Sequence, residues 1–303
     1  MRHIRSIAKR PAGAALTVLA GFALACAAGV HPARGDVLST NYPFPGVTCY
    51  AETRAEPPTR LFAAEVDLTN PNVRIRVAPG GPDPDGPGRW QTTLMLPTQV
   101  GAREGFDLLV NGDFFYARGI KDAEGTNSAY RGQIWASVVG PAVTDGNVWS
   151  TCATNRPCLV VHRNRKVTIE MLAHPKPDDW EVVAGNTMLV ENGRVVPHKS
   201  QARHPRTVVG LGLDGKKLIL LVVDGRKPGV AVGMTYEELA TEMLRLGCRQ
   251  ALNLDGGGSS VMAVHDPGSA RFHILNEPTD GHERAVANVL GVSIGGPERQ
   301  TLR

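Results

Sequence analysis

The sequence predicts an α+β fold built on a large, mainly antiparallel or mixed sheet with few helices. Three observations lead there. From Phe106 onward, apolar runs of strand length recur at 108–110, 134–139, 159–161, 167–169, 188–190, 208–213 and 218–223, and Gly, Asn, Asp and Pro separate them; strands and their turns leave this pattern. The pairs Asn192-Gly193 and Asp214-Gly215 fall between such runs and supply the positive φ that tight hairpins need. One stretch, 235–246, has a clear helical period: Tyr236, Leu239, Met243 and Leu246 share a face, Thr235 and Glu238 have capping-box spacing, and Gly247 is placed to end it.

In chain order, the first 29 residues carry Arg2, Arg5, Lys9 and Arg10, then an apolar Ala/Leu/Val run over 12–28, then Gly29. This is the layout of a secretory signal peptide, so a secreted or periplasmic protein is expected. A retained membrane span is disfavoured because the run is short and rich in Ala and Gly. Lipid anchoring through Cys26 is the lesser alternative, since Ala23-Leu24-Ala25 lacks the usual Leu three places before the cysteine. Residues 30–60 are rich in Pro, Ala and Thr and read as an extended N-terminal arm. Strands follow at 61–68 and 73–78 around the turn Thr69-Asn70-Pro71-Asn72. The stretch 79–89 holds four prolines and four glycines and reads as a surface loop, and 92–102 reads as a helix interrupted near Pro97. A catalytic domain is expected over 61–295, with a tail at 296–303.

Composition excludes several classes. An apolar content of 42% over 303 residues is ample for a packed core. The first 29 residues hold four of the 33 Lys and Arg and none of the 29 Asp and Glu, leaving 29 of each sign. A near-neutral mature chain lacks the one-signed field that nucleic-acid binding requires. Four cysteines remain: Cys152 and Cys158 flank a short Pro-containing loop and are expected to form a disulfide, which leaves Cys49 and Cys248 by elimination. No pair of cysteines has zinc-site spacing, no His-Glu-x-x-His occurs, and no Gly-x-Gly-x-x-Gly follows a strand, so zinc and dinucleotide sites are not expected.

The most informative stretch is 251–262, where an apolar run delivers Asp255 into Gly256, Gly257 and Gly258, then Ser259 and Ser260, before apolar residues resume. Three consecutive glycines let the backbone approach a ligand and turn its N–H groups into an anion-binding concavity, with Asp255 at the rim. A hairpin loop capped by Asp is the plainer alternative. Three other segments end an apolar run on polar residues in the same way: Asn111-Gly112-Asp113, Asp224-Gly225-Arg226 and His204-Pro205-Arg206. Strand ends can gather in a folded sheet, so these segments are expected to meet at one ligand.

Read jointly, they resemble the phosphodiester glycosidase family. The resemblance spans about residues 60–295 and is carried by Asn111-Gly112-Asp113-Phe114-Phe115, Pro205-Arg206-Thr207 with Gly210, Val223-Asp224-Gly225-Arg226, the helix over 233–247, Asn253 to Ser259, and Arg284 with Val286-Ala287-Asn288. Asp113 stands where many members have Gly, which adds a carboxylate. The resemblance implies hydrolysis of a glycosyl 1-phosphodiester, N-acetylglucosamine-1-phosphodiester-like, at the anomeric C–O bond. The residues suit that chemistry. Arg206 can grip two phosphate oxygens, the amides of Gly256, Gly257 and Gly258 with Ser259 can hold the anion, and Asn111, His204, Arg284 and Asn288 complete the expected substrate contacts. Asp255 is the first candidate for base, nucleophile or metal ligand, followed by Asp224 and Asp113.

Three other chemistries fit parts of the pattern. Asp113, Asp224 and Asp255, with Asn111, are oxygen donors suited to Ca²⁺ or Mg²⁺, which would serve a phosphodiesterase attacking phosphorus. A serine hydrolase using Ser259 with His204, His265, His273 or His282 is disfavoured, because Gly-x-Ser-x-Gly is absent there. A non-catalytic glycan-binding protein of exopolysaccharide or envelope handling could use Trp90, Trp135, Trp149 or Tyr116 as sugar platforms, although aromatics are only 5% of the chain.

Overall fold

The structure, a computed structural model, describes residues 36–120, 130–269 and 271–295. The expected signal peptide and C-terminal tail lie outside the described residues.

One eight-stranded sheet runs in the order β1 (Asp36–Phe44), β2 (Val47–Ala55), β3 (Pro58–Asp67), β17 (Lys217–Val223), β16 (Arg206–Gly212), β18 (Cys248–Asn253), β14 (Thr187–Glu191), β15 (Arg194–Val195). A five-stranded sheet follows the order β10 (Asn147–Ser150), β9 (Ala142–Thr144), β13 (Asp179–Ala184), β11 (Arg156–His162), β12 (Val167–Leu172). A second has β20 (Phe272–Ile274), β19 (Met262–His265), β6 (Leu108–Asn111), β21 (Asn288–Ile294), β4 (Val73–Pro79), and a small third sheet has β5 (Thr92–Thr93), β8 (Trp135–Val138), β7 (Phe115–Ala117). The strand pairings are antiparallel. With α1 (Pro97–Glu104) and α2 (Tyr236–Arg245) as the two α-helices among the described residues, the fold is mainly β. The α+β expectation holds only loosely.

Alternation across the pleat places the core. On β3, Phe62, Ala64 and Val66 face one way and pack with Leu220 of β17, Val110 of β6, Val77 of β4 and Val161 of β11. One face of the large sheet is thus covered by both five-stranded sheets. Leu61 and Ala63 face the other way, with Val208, Ile219 and Leu221, against Leu239, Ala240 and Met243 of α2. Burial on both faces explains why β16 and β17 read as unbroken apolar runs. On the far face of β6 and β21, Val100 of α1 packs with Leu109 and Val289.

Two expectations about elements are corrected. Residues 36–55, read as part of an extended N-terminal arm, are two strands of the large sheet: β1 and β2 form a hairpin turning at Gly46 (φ 87°), and β2 pairs along its length with β3. Their strand character is concealed because only Val47 and Cys49 offer an apolar alternation, while Glu52 and Arg54 point to α2 and pair with Arg245 and Glu242. The segment 92–102 is a two-residue strand followed by a helix that starts at Pro97, the position where proline's missing N–H costs nothing. Leu96 before it is extended, as a residue preceding proline must be.

The expected disulfides are absent: Cys49, Cys152, Cys158 and Cys248 are free thiols. Cys158 is buried with Val160 and Val182 on the face of its sheet turned away from the large sheet, whereas the Cys152 thiol is directed to the Thr154 carbonyl at 2.9 Å. Cys49 and Cys248 occupy opposite faces of the large sheet, with β3, β17 and β16 between their strands. Four inter-strand steps place them roughly 19 Å apart, far beyond the reach of a disulfide.

The capping box of α2 forms as the sequence predicts: the Glu238 amide donates to Thr235 Oγ1 at 3.2 Å, and the Thr235 amide donates to Glu238 Oε2 at 2.9 Å. Thr235→Ala is therefore expected to lower unfolding free energy by about 1 kcal/mol, read from the urea midpoint at constant slope. An unchanged midpoint would show that α2 is held by its apolar face alone.

Candidate active site

The register of the sheets brings four strand ends together. Val208 of β16 lies opposite Asn253 of β18, Asn111 of β6 opposite Val289 of β21, and Arg206 of β16 opposite Val223 of β17. The polar residues that end these strands therefore meet. Asn111, wholly buried, ties them: its Nδ2 donates to the Asp255 carbonyl at 2.7 Å, and its Oδ1 accepts from Thr207 Oγ1 at 2.7 Å and from the Val261 amide at 3.2 Å. The Asp255 amide donates to the Gly112 carbonyl at 3.0 Å. Asp255 is thus fixed through its own backbone.

The loop after Asp255 forms one turn of 3₁₀ helix over Gly257–Ser259. Gly257 has φ 63°, which favours glycine, and a β-carbon on Gly258 would collide with the guanidinium of Arg284. Most of the amides expected to hold an anion are already used. Gly256 donates to Asp255 Oδ1 at 2.8 Å, Gly257 to the Pro205 carbonyl at 3.0 Å and Ser259 to the Gly256 carbonyl at 3.2 Å. The glycines let the guanidiniums of Arg226 and Arg284 come close to the backbone.

A cleft of about 410 Å³ opens above this loop, within the size range of small-molecule sites. Asp255, Gly256, Gly257, Gly258, Ser259, His204, Arg206, Arg226 and Arg284 line one side; Phe114, Phe115, Tyr116, Tyr130 and Tyr236 bring aromatic surface. The Arg206 guanidinium lies 4.2 Å from the centroid of the Tyr236 ring, and Nε donates to the Met234 carbonyl at 3.3 Å. Tyr236 is itself held, through Asn186, to Asn253 beside the Asp255 loop. Arg284 stacks on Tyr130 and is paired with Asp280 at 2.7 Å. Arg206 and Arg226 have no carboxylate partner among the described residues, and Arg226 is held at φ 59°, a conformation costly for residues other than glycine and common near ligand sites.

Two carboxyl groups face different surroundings. Burial raises Asp255 to about 6, opposed by hydrogen bonds from Ser259 and the Gly256 amide and by the charges of Arg284 and Arg226. At neutral pH it is mostly ionised. Asp113 lies behind the cleft, accepting from the Gly140 amide at 2.7 Å; burial raises it to about 8, against the bonds from Gly140 and Phe114, and the nearby Asp255 adds to the rise. It keeps its proton where Asp255 has lost one. His204 lines the cleft with Nδ1 buried and unpartnered; burial, Arg206 and Arg226 lower its pKa and keep the ring neutral.

The other expected site residues are placed differently. Asn111 and Asn288 do not line the cleft; Asn288 Oδ1 accepts from the Asp113 amide at 2.8 Å, so both asparagines shape the backbone. Asp224 also lies off the cleft, accepting from Asn276 Nδ2 at 3.2 Å and the Glu277 amide at 3.0 Å, with Arg60 at 3.9 Å. Asp113, Asp224 and Asp255 do not form the expected donor set for Ca²⁺ or Mg²⁺, and no three His, Cys, Asp or Glu side chains converge among the described residues. The Ser259 hydroxyl bonds to Asp255 instead of a histidine. Of the proposed sugar platforms, only Tyr116 lines the cleft. Sequence reasoning missed Tyr130 and Tyr236; Arg226 stood in one of the segments expected to meet at the ligand, without a role of its own.

Fold and cleft together define a mainly β protein in which one carboxylate sits among unpaired guanidinium groups and aromatic rings. The chain belongs to the phosphodiester glycosidase family, whose pattern it matches over residues 105–293. A stretch of 91 residues is 38% identical to the SPbeta prophage-derived uncharacterized protein YomE of Bacillus subtilis (strain 168); it is 30% of this chain and only 13% of that protein. Among solved structures, the fold is similar to the zebrafish N-acetylglucosamine-1-phosphodiester alpha-N-acetylglucosaminidase catalytic domain auto-inhibited by pro-peptide, with TM-score 0.62 and 17% identity over 85% of this chain and 87% of that one. A hypothetical protein from Synechocystis matches with TM-score 0.53 and 14% identity, over 82% of this chain and 62% of that one. At these identities the structures show a shared fold.

Because Asp113 holds its proton in the fold up to about 8, against 3.8 ordinarily, the folded state binds more protons than the unfolded chain between those values. Its contribution to stability is full at low pH and declines as pH rises towards 8, by up to about 1.4 kcal/mol per pH unit. Asp113→Asn keeps the neutral form at every pH. Urea unfolding should show the variant gaining on the wild type between pH 5 and pH 8, and a difference that does not change with pH would contradict the buried, protonated Asp113.

Proposed function

We propose that the cleft hydrolyses a glycosyl 1-phosphodiester, N-acetylglucosamine-1-phosphodiester-like, between the anomeric carbon and its oxygen, with the phosphate side leaving. The observation that carries this reading is the position of Asp255: an ionised carboxylate beside Arg206 and Arg226, which lack carboxylate partners. The two guanidiniums match the free oxygens of a phosphodiester and strengthen their grip as charge grows on the departing phosphate. Tyr236 stacks on Arg206, whose Nε and Nη2 donate to the Met234 and Ala202 carbonyls, so its charge is not cancelled; Arg284 stacks on Tyr130 and gives Nε and Nη2 to Asp280.

In the step proposed, Asp255 accepts a proton from water as the water oxygen bonds to C1 and the C1–O bond breaks, releasing free sugar and a phosphomonoester. A phosphate leaves without strong acid assistance, so a second carboxyl in the cleft is not required. The neutral His204 can bond a sugar hydroxyl, and Tyr116 offers a ring face. The name of the zebrafish relative supports N-acetylglucosamine as the first sugar to try. Export rests on the basic-then-apolar pattern of the first 29 residues, and a glycan-phosphate polymer of an envelope or capsule suits an exported enzyme. No helix among the described residues is long and apolar enough to cross a membrane.

Purified protein given an α-N-acetylglucosamine 1-phosphodiester should yield free sugar and phosphomonoester by NMR, with kcat/KM rising with pH as Asp255 ionises near 6. Asp255→Asn should remain folded and lose roughly 10²-fold or more in kcat. Retained turnover in that variant removes Asp255 from the reaction; saccharide binding without turnover in the wild type favours a glycan-binding protein.

A further inference from the structure

A second cavity, of about 290 Å³, opens between the first residues of β4, the turn joining β11 to β12, and β13. β4 runs from here to Pro79, which pairs with Asn288 near the cleft. Six residues of extended chain set this cavity roughly 20 Å along the strand from that end.

Four arginines line it. Arg76 is paired with Glu104 at 3.1 Å and Asp145 at 2.7 Å. Arg74, Arg163 and Arg165 have no carboxylate partner among the described residues. Arg74 Nη1 and Arg165 Nη2 donate to the same carbonyl, that of Val73, each at 2.9 Å, so two guanidiniums are drawn side by side. The Arg74 pKa is lowered by burial and by the charge of Arg165. Arg165 is held at φ 70° in its turn, a place that glycine or asparagine would take without strain. Arg163 stacks on Trp180 with its guanidinium 4.3 Å from the ring centroid. Glu181 does not offset them: its oxygens accept the Val77 and Asp145 amides, and burial raises it to about 8, so it is mostly neutral at pH 7. With Asp145 taken up by Arg76, the other three guanidiniums have no carboxylate of their own and make a site for an anion with several oxygens.

We propose that Arg74, Arg163 and Arg165 form a second site for a phosphate-class anion, and that its occupant is a phosphodiester of an extended glycan-phosphate chain, several repeats from the bond being cleaved. The identity of the occupant rests on the glycosidase reading above; the anion site does not. The reaction then favours polymeric substrate over a single unit.

The test uses the full chain, Arg74→Gln/Arg165→Gln, and Arg163→Gln as a milder exposed substitution should the double variant not fold. Inorganic phosphate is titrated calorimetrically, and turnover is compared on a one-unit N-acetylglucosamine 1-phosphodiester and on a synthetic oligomer with several phosphodiesters. The variant should lose one of two phosphate-binding events and raise KM for the oligomer by about tenfold or more, with one-unit kinetics unchanged. Loss of phosphate binding with unchanged oligomer kinetics overturns the polymer as occupant and leaves free phosphate. Unchanged phosphate binding overturns the site itself. If the wild type turns over neither substrate, the glycosidase reading fails, and the phosphate titration still decides the anion site.

Discussion

The buried side-chain amide of Asn111 is the constraint on which the cleft depends. It ends a strand in one sheet and makes all its bonds to groups that begin or end strands elsewhere: the Asp255 carbonyl, the Thr207 hydroxyl and the Val261 amide. A buried amide left without these partners would cost about 1–3 kcal/mol for each group stranded, so the three segments are held to one arrangement. Asp255 inherits its position from this bond, and the glycine loop that follows is then bound by Pro205 and by its own turns. The Asp255 carboxylate is thus placed by the meeting of the sheets, and the Gly256 amide and the Ser259 hydroxyl orient it within the cleft.

Electrostatics of the cleft follow from how its charges are held. Arg206 is supported by a tyrosine ring and the carbonyls of Met234 and Ala202, none of which cancels its charge. A carboxylate support would have fixed its geometry at the expense of its attraction for phosphate. The two acids divide by depth: Asp255 reaches the cleft, where arginines and donors restrain its rise, and Asp113 lies behind it, where burial dominates. Ionisation of one makes ionisation of the other harder. The pair therefore presents a single negative charge near neutral pH, against unpaired guanidiniums that can receive an anion.

Much of this was legible in the chain. The runs that became β16 and β17 are apolar throughout because both faces are covered, and the capping box of α2 rests on local bonds that spacing alone reveals. The first hairpin was not legible, since Val47 and Cys49 are the main apolar marks on β2 and its partners are ion pairs with a distant helix. Asp224 and Asp255 look alike in sequence, each closing an apolar run before glycine. Only the register shows that one faces Arg60 and Asn276 and the other the cleft. The glycine amides read as an anion cradle, but local turns use most of them, and the uncancelled positive charge of the cleft comes instead from Arg206 and Arg226.

The measurement that tests the central claim most directly is the fate of water oxygen during hydrolysis of an N-acetylglucosamine 1-phosphodiester in ¹⁸O-enriched water, followed by NMR with and without chelator. Attack at the anomeric carbon, with Asp255 as base and the arginines on the leaving phosphate, puts the label in the free sugar and leaves the phosphomonoester unlabelled. Label in the phosphomonoester would mean attack at phosphorus, and would contradict the glycosidase account of this cleft.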